Sequence, residues 1–97
     1  VEAPKTNVIP IQFALDQNYP NPFNPTTTIT FALPNSSNVK LVVYDAVGRM
    51  VAELVAGKLE AGYHTINFNA SSLASGVYFY KLTAGEFSSI KKLMLLK

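Results

Sequence analysis

The run Gly76-Val77-Tyr78-Phe79-Tyr80-Lys81-Leu82 decides how the rest of this chain is read. β-Branched and aromatic side chains dominate it, and these pack well on a pleated surface. Apolar groups fall on both alternate faces, so the run predicts a strand covered on both sides. Thr83-Ala84-Gly85-Glu86 turns the chain, and Phe87 to Lys97 follows. There Ile90, Leu93, Met94 and Lys97 have helical spacing, but Leu93 and Leu95 opposed by Met94 and Leu96 equally fill the two faces of a strand. The short connection decides for a strand that pairs back on 77–83, because a tight turn joins antiparallel neighbours.

Upstream, Ile29, Phe31 and Leu33 alternate with Thr28, Thr30 and Ala32, giving a half-buried strand over Thr26 to Leu33 that Pro34-Asn35 ends. Val39 to Asp45 places Val39, Leu41 and Val43 on one face and Lys40, Val42 and Tyr44 on the other, as a central strand does. Asp45-Ala46-Val47-Gly48 reads as a tight turn, in which the Asp45 carboxylate accepts backbone N–H groups and Gly48 takes positive φ. Met50 to Val55 returns as a short strand. Gly57 and Gly62 flank a connector, and His64, Ile66 and Phe68 then alternate with Thr65, Asn67 and Asn69. Gly48, Gly57, Gly62, Gly76 and Gly85 all read as turn residues outside any phosphate-cradling pattern. With a further strand around Phe13 to Asp16, seven short strands and no obligate helix predict an all-β, immunoglobulin-like antiparallel β-sandwich. Residues 1–10 hold two prolines and two charges without periodicity and read as an interdomain linker to an upstream domain, leaving 11–97 as the folded unit.

Length and charge limit the function. Ninety-seven residues suffice for one core and not for two. Only 14% are charged, against about 25% in ordinary soluble domains, and the net +2 is too weak a field to argue for nucleic acid or a membrane surface. The chain has no cysteine, which excludes disulfides, thiol catalysis and thiolate metal sites. It has no run of about 20 apolar residues to span a bilayer as a helix.

Chemistry has few tools to work with. A triad of His64, Asp45 and a serine can be drawn, but no serine sits in a strained nucleophile turn, and His64 reads instead as a part-covered strand residue. The expectation is therefore no enzyme and no cofactor. The acids are scattered singly; Asp16 or Asp45 with loop carbonyls is the one arrangement that suggests calcium, and Asp45 is better explained by its turn. Asn35-Ser36-Ser37 and Asn69-Ala70-Ser71 match the glycosylation sequon and carry little weight. Tyr63, Tyr78 and Tyr80 suggest an aromatic strip for a carbohydrate, with core packing as the competing explanation. Leu73 followed by Tyr78 is also the spacing of a tyrosine corner.

Two segments remain unexplained by a bare sandwich. Asn18-Tyr19-Pro20-Asn21-Pro22-Phe23-Asn24-Pro25 must be an ordered extended loop, since three prolines block ladder donors, and Tyr19 and Phe23 are expected to anchor it. Lys91, Lys92 and Lys97 crowd the last seven residues around Leu93, Met94, Leu95 and Leu96, with no acid after Glu86. Lysines guarding an edge strand explain this; so does an address that another protein reads.

The loop block followed by Thr26-Thr27-Thr28-Ile29, then Val42-Val43-Tyr44-Asp45 with Gly48-Arg49-Met50-Val51, then Leu73 with Gly76-Val77-Tyr78 and the ending Lys91 to Lys97, resembles the type A C-terminal sorting domain of the type IX secretion system. It is similar, too, to the immunoglobulin-like domain of flagellar hook-capping proteins. The resemblance covers roughly residues 13–97. It implies a module at the end of a cargo protein, exported through the periplasm of a Gram-negative bacterium to the cell surface or beyond. The implied partners are the outer-membrane type IX machinery and a sortase-like peptidase that in many systems removes the domain, the alternative being a retained attachment or accessory module, with 90–97 as the signal. Recognition is expected to grip the backbone of the last strand or loop edges, as in strand addition, and to read its Lys and Leu side chains.

Overall fold

The computed structural model describes residues 9–97, so all but the last two positions of the linker expected at 1–10 lie outside the described residues. Seven strands follow: β1 (Ala14–Leu15), β2 (Thr26–Leu33), β3 (Ser37–Tyr44), β4 (Met50–Leu59), β5 (Gly62–Asn69), β6 (Gly76–Ala84) and β7 (Phe87–Leu95). They form two antiparallel sheets, β1-β2-β5 and β4-β3-β6-β7, and the described residues contain no helix. The chain crosses between sheets from β2 to β3, β4 to β5 and β5 to β6, giving the sandwich of immunoglobulin type that the spacing predicts.

Alternation sorts each strand. Ile29, Phe31 and Leu33 of β2 face Val39, Leu41 and Val43 of β3, Tyr80 and Leu82 of β6 and Leu93 and Leu95 of β7 across one core. β6 departs from expectation. Tyr78, Tyr80 and Leu82 are buried, but Val77 and Phe79 on its other face are only half-covered and Lys81 is exposed, because no described element packs on the outside of the four-stranded sheet.

Turns set the registers. Gly85, at φ 59°, opens the two-residue turn that pairs Ala84 with Phe87, a position where a glycine relieves the steric penalty of positive φ. At the other hairpin Asp45 Oδ1 accepts the N–H groups of Val47 (3.0 Å) and Arg49 (2.9 Å), and Gly48 takes φ 91°. Arg49 Nε donates to Asp45 Oδ2 at 3.0 Å, and the N–H of Arg49 does most to hold the carboxyl below its ordinary range. The connector expected after Gly57 is shorter than predicted: β4 continues to Leu59 because Gly57, Lys58 and Leu59 pair with Val39, Asn38 and Ser37 of β3. Gly57 therefore lies inside a strand, and Gly62 and Gly76 begin strands.

Candidate recognition site: the terminal strand and its clamp

β7 is an edge strand, and its residues divide by parity. Leu93 and Leu95 are fully buried; Lys92, Met94, Leu96 and Lys97 are exposed, with Lys91 in between. The seven residues read as one signal therefore split into side chains that hold the core and side chains that face outward. By the same alternation, the backbone N–H and C=O groups of 92, 94 and 96 point away from β6, into the position where a further strand would add.

That position is partly occupied. Phe23 donates its N–H to Met94 O (3.0 Å), and Leu96 donates its N–H to Phe23 O (3.0 Å), a single parallel bridge. Met94 donates to Asn21 Oδ1 (3.0 Å), and Gln17 Nε2 donates to Lys92 O (2.7 Å). The proline-bearing loop thus acts as a short surrogate strand along 92–96, so four of the six outward backbone groups there already have a partner within the domain. The prolines suit this role: they lack donors, so the loop offers N–H groups to β7 only where the chain needs them.

The loop itself is held from within. Asn18, 2% exposed, donates through Nδ2 to Pro20 O (3.1 Å) and Thr27 Oγ1 (2.9 Å) and accepts from Gln17 Nε2 (2.7 Å). Thr27 Oγ1 donates to the same Pro20 carbonyl at 2.8 Å. The Phe23 ring is buried against Phe68, with centroids 6.2 Å apart, as expected of an anchor. Tyr19 is not one: its ring is 81% exposed, and its backbone bridges Thr28 instead. Burying the small Asn18 amide among three polar partners does what the ring was expected to do.

On the other side the chain end is tied to the loop between β5 and β6. Ser75 Oγ accepts the Lys97 N–H (2.9 Å), and Lys97 Nζ donates to Ser71 O (2.6 Å). Gln17, Ser71 and Ser75 carry no sequence signal for this task; they are found only once the fold joins distant segments.

The remaining candidates fall elsewhere. Tyr78 donates to Ala74 O (2.6 Å), the tyrosine corner that the Leu73 spacing predicts. Tyr80 is fully buried and donates to Asp16 O (2.6 Å), tying β6 to the segment after β1; burial pushes its hydroxyl up to about 12. An aromatic strip of Tyr63, Tyr78 and Tyr80 therefore does not exist at the surface, because two of its rings are core. His64 stacks on Phe31 at 5.4 Å and shares a 2.7 Å hydrogen bond with the Glu60 carbonyl, while Asp45 serves its turn in the opposite sheet. Neither is turned to the other.

A family model described as a secretion system C-terminal sorting domain matches residues 17–96. No curated protein sequence matches the chain. Among solved structures, one is similar over 88% of this chain with a TM-score of 0.58 and 22% identity: PorZ, described as an essential bacterial surface component of the type-IX secretion system of Porphyromonas gingivalis. This chain spans 11% of the length of that one, and at such identity the likeness bears on the fold.

Proposed function

We propose a mode of action for this chain, which belongs to the family of secretion system C-terminal sorting domains: it presents its address as a folded surface, not as an unpaired strand. Domains of this family are the C-terminal signals of type IX secretion and mark proteins for export across the outer membrane to the cell surface or the medium. The observation that carries the proposal is the clamp. With Lys92 O, Met94 N–H, Met94 O and Leu96 N–H already bonded to Gln17, Asn21 and Phe23, and Lys97 Nζ to Ser71 O, what this stretch chiefly offers a partner is the side chains of Lys92, Met94 and Leu96.

The partner is a component of the outer-membrane type IX machinery, and the cargo is a domain upstream in the same polypeptide. A sortase-like peptidase then separates the two ahead of the first strand, leaving the sandwich whole. The domain does no chemistry of its own; Asp45 and His64, its best acid and base candidates, are engaged in structural hydrogen bonds. These finer assignments draw on the family resemblance.

Deleting 91–97 is a poor test, since it also removes Leu93 and Leu95 from the core. Residues 11–97 fused to a periplasmic reporter in a host with the system should instead carry Lys92→Glu, Met94→Ser and Leu96→Ser together. Loss of surface reporter with an unchanged thermal midpoint supports a folded display. Surface export at the unsubstituted level refutes it.

A further inference from the structure

Composition and architecture disagree on the outer face of the four-stranded sheet. The 76–82 run predicts cover on both sides, and the sandwich supplies it on one. Register sets the outward side chains in cross-strand rows: Tyr44, Phe79 and Lys92 form one, and Val42, Lys81 and Ile90 the next. Val42 points away from the core and is still only 4% exposed, so the rows pack into a continuous layer. At its rim Ile90 is 58% and Met50 62% exposed.

Lys40, Lys58, Lys81 and Lys92 all stand on this face, and Glu53, opposite Val42, is the acid there. Among the described residues the ion pair is Arg49 with Asp45, at the hairpin, so these four ammonium groups have no paired carboxylate. Their aliphatic stems can lie over the neighbouring apolar groups while the charges stay in water, which keeps the face soluble until it is covered.

We propose that this face is part of the docking surface for the export machinery, and that its occupant is a protein surface with an apolar centre and an acidic rim. The proposal rests on the sorting role above and extends it from the chain end to β6 and β3, since Lys92 belongs to both the display and the face. The charge pattern selects the partner. Lysines interleaved with aromatic and branched residues suit a flat protein surface, on which opposite charge guides orientation and partner choice. An anionic bilayer is recognised by about four to eight basic residues clustered on one short segment, whereas these four are spread one to a strand with Glu53 among them.

The test uses the reporter fusion with Lys40 and Lys81 changed, because both lie outside the terminal segment. Lys40→Glu with Lys81→Glu should lower surface export roughly tenfold, by placing like charges against the acidic rim, with an unchanged thermal midpoint. Lys40→Gln with Lys81→Gln should give a smaller loss. Wild-type export from either pair overturns the docking face. If the Lys92, Met94 and Leu96 variant is meanwhile retained in the cell, the sorting display stands without it; if that variant is exported too, both fail. Flotation with phosphatidylglycerol vesicles is the second arm: binding by the parent fusion that the Glu pair abolishes gives the face to lipid and overturns the protein partner.

Discussion

Replacing Asn21 by alanine removes one contact of the clamp and leaves its neighbours in place. Asn21 is exposed, and its Oδ1 takes the Met94 N–H at 3.0 Å; the bonds of Phe23 to Met94 O and Leu96 N–H involve only main chain and survive the change. An intramolecular hydrogen bond contributes about 0.5–1.5 kcal/mol net, and about 1.4 kcal/mol is a factor of ten, so protection of the Met94 amide should fall about two- to tenfold. Exposure places the effect towards the smaller figure. The amides of Leu93 and Leu95 face β6 and should exchange as before, as should that of Leu96. Amide hydrogen exchange followed residue by residue checks this on the parent, Asn21→Ala and Asn21→Asp. Aspartate restores an acceptor and should restore the protection of Met94. An unchanged Met94 rate in Asn21→Ala refutes the clamp; so does an equal rise at Leu93, Met94, Leu95 and Leu96, which indicates global loosening.

Parity along β7 predicts that Leu95→Ala costs about 2–5 kcal/mol while Leu96→Ala stays within about 0.5 kcal/mol, measured by urea unfolding. Tyr80 carries an alkaline prediction: burial raises its hydroxyl from 10.0 to about 12, so the folded chain keeps a proton that the unfolded chain releases first. Stability from this group is complete below pH 10 and is lost as pH rises towards 12, and Tyr80→Phe should lack that step in unfolding free energy against pH. Asp45 behaves oppositely, because backbone N–H groups hold its carboxyl low: its contribution is present above the ordinary carboxylate range and fades as pH falls through the folded-state value. Asp45→Ala should flatten the acid limb of the stability curve.

The sandwich was legible because its strands announce themselves locally. Thr26 to Leu33 was placed to the residue, since alternation and Pro34 define it without help from elsewhere. β4 runs beyond its local pattern because its continuation depends on partners at Ser37 to Val39, and Gly57 in isolation looks like a breaker. Tyr19 and Phe23 flank prolines alike, and nothing local says that one ring is buried and the other is not. The terminal segment was half legible. Its buried leucines follow from alternation, whereas the occupant of its edge lies 73 to 75 positions away, at Gln17 and Asn21, beyond the reach of any local pattern.

Those long separations make the clamp a checkpoint. The outward set of Lys92, Met94, Leu96 and Lys97 acquires its geometry only after Asn21 and Phe23 from one end of the fold, and Ser75 from the loop before β6, have closed around it. A chain whose sandwich has not closed holds the same letters without the shape, and so carries no legible address. Under the proposed reading, recognition therefore depends on closure of this domain as well as on the residues of β7.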